Sequence, residues 1–220
     1  MKFLYTFPQD IRHDPAGHAA LDWKGSDPYA QSRELALNDA ASYPQIVPQL
    51  FSPQECDAII ALGEAAIKLK ASVDERADLA SRDYRISDIA WIEPRETAQW
   101  LFHRLAVLFA QSNATYRFDL IGFAEALQYT CYGAGQYFAW HADIGNGGTA
   151  ARKLSLTIQL SAPGDYDGGQ LQFHGAADMP AARQRGSGVF FPAFLAHQVT
   201  PVTRGLRRSL VVWAYGPQFR

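Results

Sequence analysis

With only two cysteines, Cys56 and Cys131, in 220 residues, the chain can hold neither a disulfide framework nor a thiolate zinc cluster. No apolar run approaches the ~20 residues that cross a bilayer. The opening segment meets Pro8 and then charged residues before any signal-peptide core can form. Charge of one sign is also lacking: 20 Lys and Arg stand against 22 Asp and Glu, a formal net charge of −2, with no block of either. A surface for nucleic acid or anionic lipid is therefore not expected. Internal repeats, low-complexity tracts and linkers are missing too, which predicts a single domain. A reducing cytoplasm is the expected compartment.

What is present divides near residue 118. Residues 1–44, with Asp14-Pro15 and Asp27-Pro28, read as an irregular lead-in with one short helix around Gln31 to Asp39. Residues 45–220 read as the domain proper. Ile46 to Phe51 predicts a short strand. Ser52-Pro53-Gln54-Glu55 carries a capping-box pattern with proline at the first helical position. Behind it Cys56, Ile59, Ile60 and Ile67 recur at helical spacing. The polar stretch Asp74 to Arg82 predicts a surface loop, and Tyr84 to Ile92 a strand. After Pro94 a second helix is expected to about Asn113, burying Leu101, Leu105, Leu108 and Phe109.

From residue 118 onward short apolar or alternating runs follow one another at 118–132, 137–143, 153–161, 169–174, 188–193, 197–202 and 207–215, broken by Gly, Asn, Asp and Pro. Such spacing predicts a β-sandwich or barrel, mainly β, with the two helices covering one sheet. In 154–160, Leu154, Leu156, Ile158 and Leu160 share one face; Ser155, Thr157 and Gln159 share the other. Uncharged hydrogen-bonding groups suit the lining of an enclosed site better than a solvent face. In 207–215, Arg207, Ser209, Val211 and Trp213 lie opposite Leu210 and Val212, with Arg208 turned outward.

His141 and Asp143, two positions apart on an extended strand, project to one side and can converge on a metal. A third ligand is needed, and His197, after the strand and turn of 190–196, is the candidate. Two imidazoles and one carboxylate on one side of a metal suit ferrous iron with open positions for co-substrate and dioxygen. Arg207 shares a face with Ser209, and a planar guanidinium there can pair with the far carboxylate of a dicarboxylate. His174, His103, His13 and His18 are read as structural or exposed, Cys131 as core. A register slip of one would put Arg208 in place of Arg207. Tyr129, Tyr137, Phe138 and Trp140 either line a pocket or pack the core. Gly145 to Arg152 is read as a loop beside the site that could act as a lid.

The ordered text Leu127-Gln-Tyr-Thr-Cys-Tyr-Gly-Ala-Gly-Gln136, His141-Ala-Asp143, Leu154-Ser-Leu-Thr157, Tyr166-Asp-Gly-Gly-Gln-Leu171 and His197 through Arg207 resembles the prolyl-4-hydroxylase-type branch of the Fe(II)/2-oxoglutarate dioxygenases, and especially the bacterial PKHD-type hydroxylases. The resemblance covers roughly residues 45 to 215 and is strongest over 127–213. It implies a double-stranded β-helix, or jelly roll, with two helices packed on one sheet. It also implies Fe(II), 2-oxoglutarate and dioxygen, with ascorbate as an optional reductant. Carried over by position, His141, Asp143 and His197 become iron ligands, while Arg207, Ser209 and Tyr132, with Ser155 or Gln159, hold 2-oxoglutarate. Arg85-Ile86-Ser87 is similar to the Arg-x-Ser on the substrate side of prolyl hydroxylases, but the small residues that follow there are missing. Gln128 and Trp140 are further substrate-side candidates. The implied reaction hydroxylates an unactivated C–H of an amino acid, a residue or a similar small metabolite, releasing succinate and carbon dioxide. A polypeptide substrate, or a cupin-like metal enzyme without 2-oxoglutarate, is the alternative. The expected partner is a small molecule or peptide, with no nucleic acid and no membrane, and the protein is a monomer or homodimer.

Overall fold

The computed structural model describes residues 1–8, 38, 42–66, 68–70 and 84–219. The expected helix around Gln31 to Asp39 lies outside these residues, Asn38 apart, as do Ile67 and the loop Asp74 to Arg82. Helix α1 (Pro53–Ala65) starts on a complete capping box. The Glu55 amide donates to Ser52 Oγ at 3.2 Å, and the Ser52 amide donates to the Glu55 carboxylate at 2.7 Å. Cys56, Ile59 and Gly63 are its buried stripe. A 3-10 turn (Glu96–Ala98) leads into α2 (Gln99–Tyr116), which buries Leu101, Leu105, Leu108 and Phe109 as its spacing predicts. It continues past Asn113 because that side chain closes the helix end, exchanging hydrogen bonds with the backbone of Phe118 at 2.7 and 2.9 Å.

The strands are β1 (Tyr5–Thr6), β2 (Gln45–Val47), β3 (Lys68–Lys70), β4 (Arg85–Ile86), β5 (Asp88–Ile92), β6 (Gly122–Phe123), β7 (Leu127–Tyr132), β8 (Tyr137–His141), β9 (Arg152–Gln159), β10 (Tyr166–Gly168), β11 (Leu171–Phe173), β12 (Gly188–Pro192), β13 (His197–Val199), β14 (Val202–Gly205) and β15 (Arg207–Tyr215). The larger sheet runs β2-β12-β9-β15-β7-β5-β3, with β1 and β6 joined beside β15. A smaller sheet runs β11-β13-β8-β4, and β10 pairs with β14. Pairing is antiparallel throughout the described strands. The two sheets face each other as a double-stranded β-helix, and α1 and α2 cover the outside of the larger one.

Alternation decides which face does what. Leu154, Leu156, Ile158, Leu160, Leu210, Val212, Tyr129 and Cys131 turn toward the helices and join one apolar core with Phe102, Phe109 and Phe190. The opposite face of the same strands is also buried, but it carries Gln128, Thr130, Ser155, Thr157, Gln159, Arg207 and Ser209. Leu156 pairs across to Val212, and Thr157 to Val211, so the polar groups lie in rows between the sheets. No described helix is long and apolar enough to cross a membrane.

Several strand expectations need correction. The run at 118–132 holds two strands, β6 and β7, and that at 197–202 breaks between β13 and β14. Ile46 to Phe51 contributes only β2, since residues 48–51 leave the strand for the turn into α1. Tyr84 to Ile92 is two strands, not one: β4 pairs with β8 in the smaller sheet and β5 with β7 in the larger. The chain changes sheets at Ser87, which is buried at the corner. The strand read at 137–143 stops at His141.

Candidate metal centre

β8 and β13 lie side by side with His141 opposite His197. Their ring centres are 4.1 Å apart. The register slips between this pair and Val199–Phe138. That bulge lets Phe138 and His141, three residues apart, stack on each other with ring centres 3.5 Å apart. Asp143 lies beyond the strand rather than on it. Its carboxylate reaches the imidazoles from the loop, with Oδ1 3.7 Å from His141 Nε2 and Oδ2 3.8 Å from His197 Nε2. One ligand atom from each residue falls within 4.8 Å of the other two.

Each imidazole is oriented by the carbonyl two residues before it. His141 Nδ1 lies 2.8 Å from the Ala139 oxygen, and His197 Nδ1 lies 2.9 Å from that of Leu195. A carbonyl only accepts, so Nδ1 carries the proton and each Nε2 offers a lone pair to the centre. Burial, reinforced by the neighbouring His197, pushes His141 down to about 4, so its imidazole is neutral at pH 7. Burial works against the charge on Asp143. The two imidazoles, the Ser155 hydroxyl and Arg152 outweigh it and hold the carboxyl below its ordinary value. Neutral imidazole beside ionised carboxylate is the protonation state that binds a divalent metal.

Two residues that hold Asp143 come from β9. Ser155 Oγ donates to Asp143 Oδ2 at 2.6 Å. Arg152 Nη1 donates to the Asp143 carbonyl at 3.0 Å, and the Ile144 amide donates to Ala193 O at 3.0 Å. Arg152 is itself clamped by Glu125, by the Tyr215 hydroxyl at 3.1 Å and by the Trp213 ring 3.8 Å away. The sequence offered little warning of Arg152 or Glu125, which are 27 residues apart and belong to no local motif. Tyr84, whose ring meets those of Phe138 and His141 edge-on, was likewise not singled out.

Gln128, Tyr132, Phe138, Thr157, Ser209, Val211 and Trp213 line one cavity with the triad and Arg207. Arg207 is buried on β15, with Nη1 3.4 Å from Ser209 Oγ and the Tyr132 ring 5.5 Å from its guanidinium carbon. Among the described residues no carboxylate pairs with it. Gly169 has φ +56°, and a Cβ there would come within 3.0 Å of Arg207 Cδ and 2.8 Å of Val202. The second glycine of 166–171 therefore lets the chain pass close over this arginine. Arg208 faces the other way, 3.5 Å from Glu64 on α1, which excludes the register slip.

The remaining sequence candidates divide. Ser155, expected to hold a co-substrate, spends its hydroxyl on Asp143. The Gln159 amide donates to the Ser161 carbonyl at 3.0 Å, and the residue lines a groove beyond Arg207 with Tyr166 and Arg183. Arg85 and Ser87 sit at the inner corner beside Gln128 and Phe138. Trp140 is 44% exposed and packs edge-on against His174 outside the cavity. Tyr129 belongs to the helix-side core, its hydroxyl on Glu64. Residues 147–151 form a 3-10 turn beside the site.

Residues 127–215 match the family model of the 2OG-Fe(II) oxygenase superfamily. A PKHD-type hydroxylase of Synechococcus is 36% identical over 89 residues, 38% of this chain and 40% of that protein; the match thus spans well under two thirds of the relative. A PKHD-type hydroxylase of Paracoccus denitrificans is 27% identical over 177 residues, 76% of each chain. The crystal structure of a Pseudomonas putida prolyl-4-hydroxylase superposes with a TM-score of 0.62 at 22% identity, covering 83% of this chain and 98% of that one. At that identity the likeness speaks for the shared fold.

Proposed function

We propose that the protein, whose residues 127–215 match the family model of the 2OG-Fe(II) oxygenase superfamily, is a 2-oxoglutarate-dependent hydroxylase of an unactivated C–H in an amino acid, an amino-acid residue or a similar small metabolite. The observation that carries this reading is the pairing of two features in one cavity. A two-imidazole, one-carboxylate donor set lies there beside a buried arginine that no described carboxylate pairs with. The donor set fits ferrous iron. A buried guanidinium without an anion is costly, so Arg207 supports a dicarboxylate ligand. A cupin-like enzyme that does not use 2-oxoglutarate has no need of Arg207 or Ser209.

His141, Asp143 and His197 would hold the iron, and Arg207 with Ser209 would hold the distal carboxylate of 2-oxoglutarate beside Tyr132. When bound, iron and 2-oxoglutarate supply the oxidative decarboxylation that uses dioxygen and drives hydroxylation, yielding succinate and carbon dioxide. The protein's own part is orientation and exclusion of water. The carbonyls of Ala139 and Leu195 fix the imidazole tautomers. Ser155 aims the Asp143 carboxylate, and the rings of Phe138, Phe173 and Phe191 pack around the two histidines. Gln128, which lines the cavity, with Arg85 and Ser87 packed beside it, would form the substrate side. A polypeptide substrate is the second reading, favoured by the fold shared with the Pseudomonas putida prolyl-4-hydroxylase.

The test is an anaerobic titration of metal-free protein with Fe(II) and 2-oxoglutarate, followed by visible absorption. A weak metal-to-ligand charge-transfer band is expected only with both present, and lost in His141→Ala. Folded protein that binds iron but gives no band would remove 2-oxoglutarate from the assignment.

A further inference from the structure

Arg85 opens β4 where the chain is about to change sheets, and its side chain is held on all but one side. Nε donates to Ser87 Oγ at 2.8 Å. Nη1 is 3.5 Å from Gln128 Oε1, and Gln128 is in turn tied to Thr130 Oγ1 at 3.0 Å. The guanidinium carbon lies 4.6 Å from the centre of the Phe138 ring, which stacks on the imidazole of His141. One aromatic ring therefore separates this cation from a metal ligand. Nη2 is buried and has no hydrogen-bond partner among the described residues. The polar partners Arg85 does have, Ser87 and Gln128, are neutral.

A second donor is in the same condition. Trp213 lines the cavity that holds the triad, and its Nε1 is buried without a partner. Trp213 packs against Trp91, which lies across from Gln128 in the sheet. The two unused N–H groups are thus linked through Gln128, which lines the cavity, and Trp91. A buried donor left unpaired costs about 1–3 kcal/mol, and more when it is charged. Such donors are satisfied only when an acceptor reaches them.

Charge selects the acceptor. On the reading given above, on which this step rests, the positive charges of ferrous iron and Arg207 are cancelled by Asp143 and the two carboxylates of 2-oxoglutarate. Arg85, half-buried with its Nη2 buried, has no carboxylate partner among the described residues. With Nε already committed to Ser87, its remaining edge is the Nη1–Nη2 pair, and a planar group with two oxygens matches that edge. We propose that Arg85 anchors a carboxylate of the substrate, so that the molecule oxidised is itself an acid. Trp213 Nε1 supplies a further donor to the same molecule. The carboxylate enters from the side of Gln128 and Phe138 and fixes how far the oxidised carbon lies from the metal.

The experiment uses full-length protein labelled with 15N-arginine, loaded with Zn(II) in place of iron and N-oxalylglycine in place of 2-oxoglutarate. Arginine Nε–H resonances are followed by NMR while acetate, or its neutral isostere acetamide, is added. The Arg85 signal, assigned by its loss in Arg85→Gln, is expected to move saturably with acetate and not with acetamide. In Arg207→Gln the acetate response at Arg85 is expected to persist while the response to N-oxalylglycine is lost. An Arg85 signal unmoved by acetate, or moved equally by acetamide, overturns the proposal. An Arg207 signal unmoved by N-oxalylglycine instead strikes the co-substrate assignment, so the two failures are distinguishable. N-acetylglycine and a blocked glycyl-glutamyl-glycine peptide present the same group as a free acid and as an acidic side chain. Saturation by either supports the proposal and identifies the source.

Discussion

Arg152 holds Asp143 by its backbone: the guanidinium donates to the Asp143 carbonyl at 3.0 Å, while Glu125 and Tyr215 take its other edge. Asp143, proposed as the carboxylate ligand, lies outside any strand, so it has no ladder of hydrogen bonds to place it. β9 provides that placement instead. Groups that orient ligands are worth roughly 10–100-fold in metal affinity. Arg152→Lys, which keeps the charge but not the fork, is expected to weaken Fe(II) binding at least tenfold with the far-UV spectrum unchanged. Competition against a chromophoric chelator measures it.

Ser155 separates two roles. Its hydroxyl bonds to the Asp143 carboxylate at 2.6 Å, so Ser155→Ala is expected to lower Fe(II) affinity by about tenfold or more. Half-saturation for 2-oxoglutarate, measured at saturating iron, is expected to stay within about twofold, because this hydroxyl is already committed. A large rise in the 2-oxoglutarate requirement with iron affinity intact would return Ser155 to the co-substrate pocket.

Arg207→Ala removes the guanidinium that faces the cavity. Hydrogen bonds to charged groups are worth about 1.5–3 kcal/mol each, so the 2-oxoglutarate requirement is expected to rise by roughly 30-fold or more. Arg208→Ala, whose side chain meets Glu64 on the far face, is expected to leave that requirement unchanged. Succinate release against 2-oxoglutarate concentration distinguishes the two neighbours.

Gly63 tests the packing of α1 on the larger sheet. Gly→Ala inside a helix ordinarily stabilises by up to about 1 kcal/mol. Here the new Cβ would sit 2.3 Å from Tyr129 Cγ, and Tyr129 is buried with its hydroxyl on Glu64. Gly63→Ala is therefore expected to destabilise by about 1–3 kcal/mol, read from the midpoint of urea unfolding.

What could be read in the sequence was whatever a period or a local pattern carries. Alternation along 154–160 and 207–215 separated the helix-facing leucines from the buried polar row, because a strand cannot turn two neighbours to one face. The capping box of α1 and the stripe of α2 are likewise local and appear as written. The spacing of His141, Asp143 and His197 with Arg207 marks the proposed ligand set and anion group in the sequence. Only the tertiary structure decided how they meet. Extended spacing alone would place Asp143 on β8 with His141, whereas the strand ends at His141 and the carboxylate returns on a loop held by Arg152 and Ser155. Nor did periodicity show that Tyr84 to Ile92 changes sheets at Ser87, the step that sets Arg85 beside Phe138. These outcomes depend on pairs such as Arg152 with Glu125 and Arg85 with Gln128, 27 and 43 residues apart. Contacts between distant positions leave no periodic trace in one chain, and only the packed sheets bring them together.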